Sequence, residues 1–183
     1  MSNTTSLFKG LREAKTYEKG IWLKEGQYEI RVKRALYKKT RKSGDAFILE
    51  FVIEKSNYES AKKKAIETLA AGGHQYTLQE LEKLLPNQAG TTASWYQSLK
   101  DQDIGFGALK GFAASVLGEK PEDPAFIEAV EGFMDSVVND DALKDAIIPV
   151  EVIVVPTKEN KDFSRHNWGQ MIDPSRANAP AAP

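Results

Sequence analysis

Apolar and polar positions alternate with period two in two neighbouring stretches of the chain. Tyr28, Ile30 and Val32 alternate with Glu29, Arg31 and Lys33, the rhythm of a half-buried strand. From Ala46 to Glu54, Phe47, Leu49, Phe51 and Ile53 share one face, and Ile48, Glu50, Val52 and Glu54 share the other. Lys38 to Asp45 lies between them, and its Ser43-Gly44-Asp45 is a hairpin-type turn. The pattern predicts a long β-hairpin. The alternation falters at Arg34-Ala35-Leu36, where a bulge would let the first strand curve between two sheet faces.

The period then changes. Residues 56–89 read as a helical insertion. Ser60 to Ala71 holds good helix formers and stops at Gly72-Gly73, and Thr77-Leu78-Gln79-Glu80 has the capping-box pattern of a short helix closed by Pro86. Thr91 to Leu99 returns to strand-type residues. Phe106 to Leu117 has helical spacing ended by Gly118, and Asp123-Pro124 suits the cap and first turn of another helix. Gly105 and Gly107 are assigned to freeing the backbone at a helix start. Ile147 to Val155 reads as a buried strand, and Phe163 to Met171 as a last strand after the polar turn Pro156 to Lys161. The expected class is mainly β with helical insertions (α+β), a five-stranded OB-like barrel with helices between strands two and three and between strands three and four. Residues 1–19 read as a lead segment, 20–171 as the domain, and 172–183 as a disordered Pro/Ala tail.

Composition narrows the function classes. Cysteine is absent, so disulfides and thiolate metal sites are excluded. No stretch approaches the roughly 20 apolar residues of a membrane span, and the N-terminus lacks the apolar run of a signal peptide. No membrane partner is expected. The net charge of −1 hides an asymmetry. Residues 1–65 hold 16 Lys/Arg and 8 Asp/Glu, and residues 66–183 hold 9 and 18. Local potential governs binding, not total charge.

The densest basic run is Ile30 to Lys42. It carries Arg31, Lys33, Arg34, Lys38, Lys39, Arg41 and Lys42 with no acid. Such a run attracts phosphates with a salt-dependent affinity, and Tyr37 within it offers a ring for base stacking. A second reading stands beside this one: a solvated hairpin edge protected against aggregation. Trp95 and Tyr96 point to opposite faces of a strand, so one ring enters the core and the other faces out, or both are buried through barrel curvature. Trp168, with Arg165 and His166, is a further stacking candidate, and Trp22 is assigned to the core. Residues 118–146 hold 9 acids and 2 bases. They read as a solvated face, or as a surface that opposes the basic hairpin of a neighbouring molecule or mimics a polyanion. For catalysis the inventory is thin. His74 and His166 have no ligand pair at metal spacing, Asp140-Asp141 has no partner base, and no phosphate loop or nucleophile elbow is present. No catalytic residue, metal or cofactor is expected.

On these elements the chain resembles the OB-fold single-stranded-DNA-binding proteins of tailed bacteriophages. The resemblance is carried by the hairpin Gly26 to Ile30 through Lys39 to Gly44 into Phe47 to Phe51, by Ser94-Trp95-Tyr96 leading into the Gly107 to Ala114 helix, and by the strands at Pro149 to Val155 and through Trp168. It covers about residues 20–171. It implies non-catalytic binding of single strands with little sequence preference, in phage replication, recombination or repair, in the cytoplasm of a bacterial host. It places the contacts at Arg31, Lys33, Arg34, Tyr37, Lys38, Lys39, Arg41, Lys42, Trp95 and Tyr96. Replication or recombination proteins and self-association are the further partners it suggests. The chain departs from the family in its large insertion at 56–89 and in ending Ala-Pro-Ala-Ala-Pro, where many such proteins carry an acidic, aromatic-ended tail. The alternative is a protein-interaction module on the same scaffold, an assembly or host-takeover factor that binds no nucleic acid.

Overall fold

The computed structural model describes residues 21–39, 44–72, 77–156 and 162–172. The expected lead segment, the turn residues Thr40 to Ser43, the turn after Pro156 and the Pro/Ala tail from Asp173 lie outside them. Five strands and four helices follow in the order β1 (Gly26–Lys38), β2 (Ala46–Ser56), α1 (Tyr58–Ala70), α2 (Leu78–Leu84), β3 (Thr92–Ser98), α3 (Gln102–Leu117), α4 (Pro124–Asn139), β4 (Ile147–Pro156) and β5 (Asp162–Trp168). The strands form one antiparallel sheet in the order β3-β2-β1-β4-β5. This is an α+β fold.

The sheet is open, which corrects the expectation of a closed barrel. Among the described residues no ladder joins β3 to β5. Rings occupy the seam instead. Trp95 of β3 lies 4.9 Å from Trp168 of β5, and Phe112 of α3 lies 5.3 Å from Trp95 and 5.0 Å from Trp168. These rings bridge the two strands from the inner face, where among the described residues no backbone pairing joins them.

The inner face of the sheet is the core. Ile30, Val32, Phe47, Leu49, Phe51, Ile53, Ile148 and Val152 are fully buried, and Leu109, Phe112 and Val116 of α3 pack onto them with Val137 of α4. The register of β1 against β2 shifts between Val32 and Arg34, so Lys33 is the extra residue of a bulge. Val32 and Ala35 then both face inward. The irregularity expected near Arg34 is real and lies about one residue earlier. Opposite the bulge, the Val32 N–H donates to the Ala146 carbonyl at 2.9 Å and Asp145 N–H donates to Val32 at 2.9 Å. These two bonds extend the contact of β1 with the segment just before β4.

Helix α3 begins at Gln102, four residues before the expected start. Asp101 caps it by accepting from the Ile104 N–H at 3.2 Å. Gly105 sits inside this first turn and is buried. A Cβ there would meet the Ser98 carbonyl oxygen at 2.6 Å, so the residue permits close approach of helix to strand rather than backbone freedom. The other helix signals agree with the structure. Thr77 and Glu80 form the capping box, Asp123 caps α4 with Pro124 following, and Gly118 ends α3 in the left-handed conformation.

The insertion at 56–89 forms α1 and α2. It is fastened by its last segment, where Leu85 and Asn87 are buried. Asn87 Oδ1 accepts from the Lys24 N–H at 2.8 Å, the Asn87 N–H donates to the Tyr28 hydroxyl at 3.1 Å, and that hydroxyl donates to the Lys24 carbonyl at 2.8 Å. Burial pushes the Tyr28 phenol up to about 12, so it stays a donor throughout the physiological range. At the other end Ile172 pairs with Ile147, its N–H donating at 2.8 Å, so the sheet takes in at least one residue past the expected boundary.

Two substitutions test this account. Tyr28→Phe leaves the Asn87 N–H and the Lys24 carbonyl unpaired and is expected to cost about 1–3 kcal/mol in urea unfolding. Gly105→Ala is expected to cost at least as much, because the Ser98 carbonyl is rigid backbone. An unchanged unfolding midpoint in either variant contradicts the corresponding packing.

Candidate nucleic-acid interface

The basic run of β1 meets acids from β2. On the outer face Arg31 Nε lies 2.6 Å from Glu54 Oε1. Arg34 grips Glu50 with two bonds, Nε–Oε2 at 2.6 Å and Nη2–Oε1 at 3.2 Å. Lys55 pairs with Glu29 at 2.9 Å. The hydrogen bonds to these carboxylates raise the already high pKa of both arginines. A phosphate would have to compete with Glu50 and Glu54 for them. Lys33 Nζ reaches Thr92 Oγ1 on β3 at 3.4 Å and Lys38 and Lys39 are exposed at the hairpin end. Arg41 and Lys42 lie outside the described residues. Among the described residues of the run, the cations outside ion pairs are therefore Lys33, Lys38 and Lys39.

The aromatic residues divide by strand phase. Trp95 points inward and is buried, Tyr96 points outward, and the expected split holds. Trp95 packs on Phe47 at 5.9 Å as well as on Phe112 and Trp168, so it forms the floor of the seam and offers no free face. Tyr37 pairs with Phe47 in register. It therefore stands on the inner side of the hairpin end, with its hydroxyl donating to Asp45. It does not join Tyr96.

Trp22 overturns its assignment to the core. It is 58% exposed, and its ring meets Tyr96 edge-on at 6.2 Å. Ile21 bridges to Ala93, and the Ser94 N–H donates to the Ile21 carbonyl at 3.1 Å. That short contact along the edge of β3 holds Trp22 beside Tyr96. Across the seam on β5 stand Phe163, 59% exposed, the exposed Arg165, and His166 stacked on Trp168 at 5.8 Å and 15°. Trp22, Tyr96, Gln97, Phe163, Arg165 and His166 line one cleft of about 660 Å³ over the Trp95 and Phe112 floor. Lys38 pairs with Ala46, which pairs with Ser98, so the first lysine of the hairpin end lies two strand spacings, about 10 Å, from the Gln97 end of the cleft. Trp22 and Phe163 are the residues the sequence reading missed. Period-two spacing puts Phe163 on the same face of the last strand as Arg165 and was a usable signal, but nothing local to Trp22 separates a core tryptophan from an edge one.

Burial lowers the pKa of His166 to about 4, with a hydrogen bond to the Ser164 backbone pulling the other way. The imidazole is neutral at pH 7 and adds no charge to the cleft. His74 lies outside the described residues. Among the described residues no three His, Cys, Asp or Glu side chains gather as a metal site, and no helix is long and apolar enough to cross a membrane. No protein-family model, curated protein or solved structure matches the chain.

The His166 environment predicts a pH signature. Between its ordinary pKa of about 6.5 and the folded value of about 4, the unfolded chain takes up a proton that the folded chain refuses. Stability present above pH 6.5 is therefore lost as pH falls toward 4. His166→Gln is expected to flatten that component of the Tm-against-pH curve relative to the parent chain. Superimposable slopes for the two proteins would show that His166 is not held neutral by the fold.

Proposed function

We propose that the chain is a non-catalytic, largely sequence-independent single-strand-binding protein, acting in phage DNA replication, recombination or repair. The observation that carries the reading is the open seam between β3 and β5, a cleft edged by the exposed rings of Trp22 and Phe163 and by Tyr96, with Arg165 on one bank. Aromatic faces at a groove stack bases of any identity, and cations along it hold the phosphates. The pairing order of the sheet, with β1 between β2 and β4, is compatible with an OB-type scaffold whose closing ladder is missing. The resemblance to phage single-strand-binding proteins supports the same reading.

The contact set of this proposal differs from the basic run alone. Trp22, Tyr96 and Phe163 stack; Lys33, Lys38, Lys39 and Arg165 contact phosphate; Arg31 and Arg34 hold the hairpin together through Glu54 and Glu50. An oligothymidylate titration followed by Trp fluorescence tests it. Single strands are expected to quench emission and duplex is not. Trp22→Ala and Phe163→Ala are each expected to weaken binding about tenfold, within the range of about 1–3 kcal/mol per stacked base. Lys38→Ala with Lys39→Ala is expected to lower the salt slope by about 1.4, the value for two phosphate contacts on a single strand. Arg34→Ala is expected to change that slope less than either lysine. Absence of binding at low salt would favour the protein-interaction reading, and turnover of a labelled strand with magnesium would make the chain an enzyme.

A further inference from the structure

A groove of about 770 Å³ lies beneath the hairpin end, between β1, α3 and α4. Its apolar wall includes Tyr37, Phe106, Val130 and Met134, and the Tyr37 and Phe106 rings are about half exposed. Asp103, Glu131 and Asp135 line it too, against a single base, Lys110. Among the described residues none of these three carboxylates is in an ion pair. The groove therefore joins apolar area to unneutralised negative charge, and a segment that fits it is both apolar and basic.

One segment of this chain has that chemistry. Residues 1–12 hold Leu7, Phe8 and Leu11 interleaved with Lys9 and Arg12, and no acid. They lie outside the described residues, which begin at Ile21. Two concave surfaces with aromatic walls are open to them. The cleft at the seam is the nearer, since Trp22 edges it, but its lining includes Arg165 and no carboxylate. A basic segment finds no opposite charge there. In the groove Lys9 and Arg12 meet carboxylates while Phe8 and Leu11 leave water.

The chain is long enough. Ile21 bridges to Ala93 on β3, and Leu99, which lines the groove, lies six residues further on, about 20 Å along the strand. The bridge is parallel, so the chain before Ile21 has to turn back toward Leu99, and glycine at position 20 permits such a turn. The nine residue steps from Arg12 to Ile21 span up to about 30 Å, and Phe8 has four more. We propose that residues 7–12 dock in this groove of their own molecule. Phe8 and Leu11 pack on Tyr37, Phe106 and Met134, and Lys9 and Arg12 lie beside Asp103, Glu131 and Asp135. The docking needs no nucleic acid and leaves the cleft open, so it stands or falls separately from strand binding.

Double electron–electron resonance on the full chain tests it. Cysteine is absent, so Ser6→Cys with Gln102→Cys places one spin label beside the segment and one on the groove, where Gln102 is exposed. A narrow distribution of short distances is expected, and it should survive dilution into excess unlabelled protein. Lys9→Glu with Arg12→Glu, and separately Glu131→Lys with Asp135→Lys, should each give a broad distribution of longer distances. Phe8→Ala with Leu11→Ala should do the same with every charge in place. Both charge pairs reversed in one chain restore opposite charge across the contact and should restore the narrow distribution. Glu131 and Asp135 are exposed, and circular dichroism checks that the variants fold. A broad distribution in the parent chain overturns the proposal, as does a narrow one that persists in either charge variant, or a doubly reversed chain that stays broad. Loss of the short distances on dilution would seat the segment in another copy and would equally overturn it.

Discussion

The fold turns on how the gap between β3 and β5 is filled. A backbone ladder there would close the sheet and satisfy two strand edges at once. The chain places Trp95, Trp168 and Phe112 in that space, with Phe47 behind Trp95. Edge-to-face and tilted ring contacts each add about 0.5–1.5 kcal/mol beyond the area they bury, and a shared cluster of four rings keeps the edges at a fixed separation. Among the described residues the two edges form no ladder across the seam, and a cleft of about 660 Å³ lies there. One consequence is the environment of His166, whose burial beside the rings lowers its pKa to about 4. Another is that Trp22 and Phe163, flanking the seam, are left exposed among the described residues.

Charge follows the same logic of placement. The acid-free run of β1 lies opposite Glu50 and Glu54, and hairpin register brings cation to carboxylate. Exposed pairs of this kind contribute little stability, but they decide which cations are available. Arg31 and Arg34 spend their hydrogen bonds across the hairpin, while Lys38 and Lys39 at its end have no carboxylate in an ion pair among the described residues. The acids of α3 and α4 gather beneath that same end, around an apolar groove. The asymmetry between the two halves of the sequence thus becomes a division between neighbouring surfaces of different sign.

Much of this was legible from spacing. Period-two stretches located β1 and β2, and Thr77-Glu80, Asp123-Pro124 and Gly118 marked helix ends through local hydrogen bonding and backbone conformation. What failed was information that resides in a partner. Glu50 and Glu54 are 16 and 23 residues from the arginines they hold, and a window along the chain sees only the bases. Given the hairpin, their shared face on β2 was a usable signal. Gly105 looks like a breaker until the Ser98 carbonyl is placed behind it. Barrel closure depends on β3 meeting β5, and element order says nothing about whether large rings stand between them. Trp22 was assigned by residue type, because tryptophan is usually buried, and the Ile21–Ala93 bridge that exposes it has no local signature.

The proposed strand contacts are of two kinds that respond differently to salt. Phosphate contacts release counterions, so their share of the affinity falls as salt rises; stacking of bases on aromatic faces has no such dependence. The two kinds are set apart in the molecule, with Lys33, Lys38 and Lys39 on β1 and its hairpin end and Trp22, Tyr96 and Phe163 along the seam between β3 and β5. If both hold one strand, removing the lysines lowers the salt slope and leaves the affinity at high salt, whereas removing the rings lowers the affinity at every salt concentration and leaves the slope.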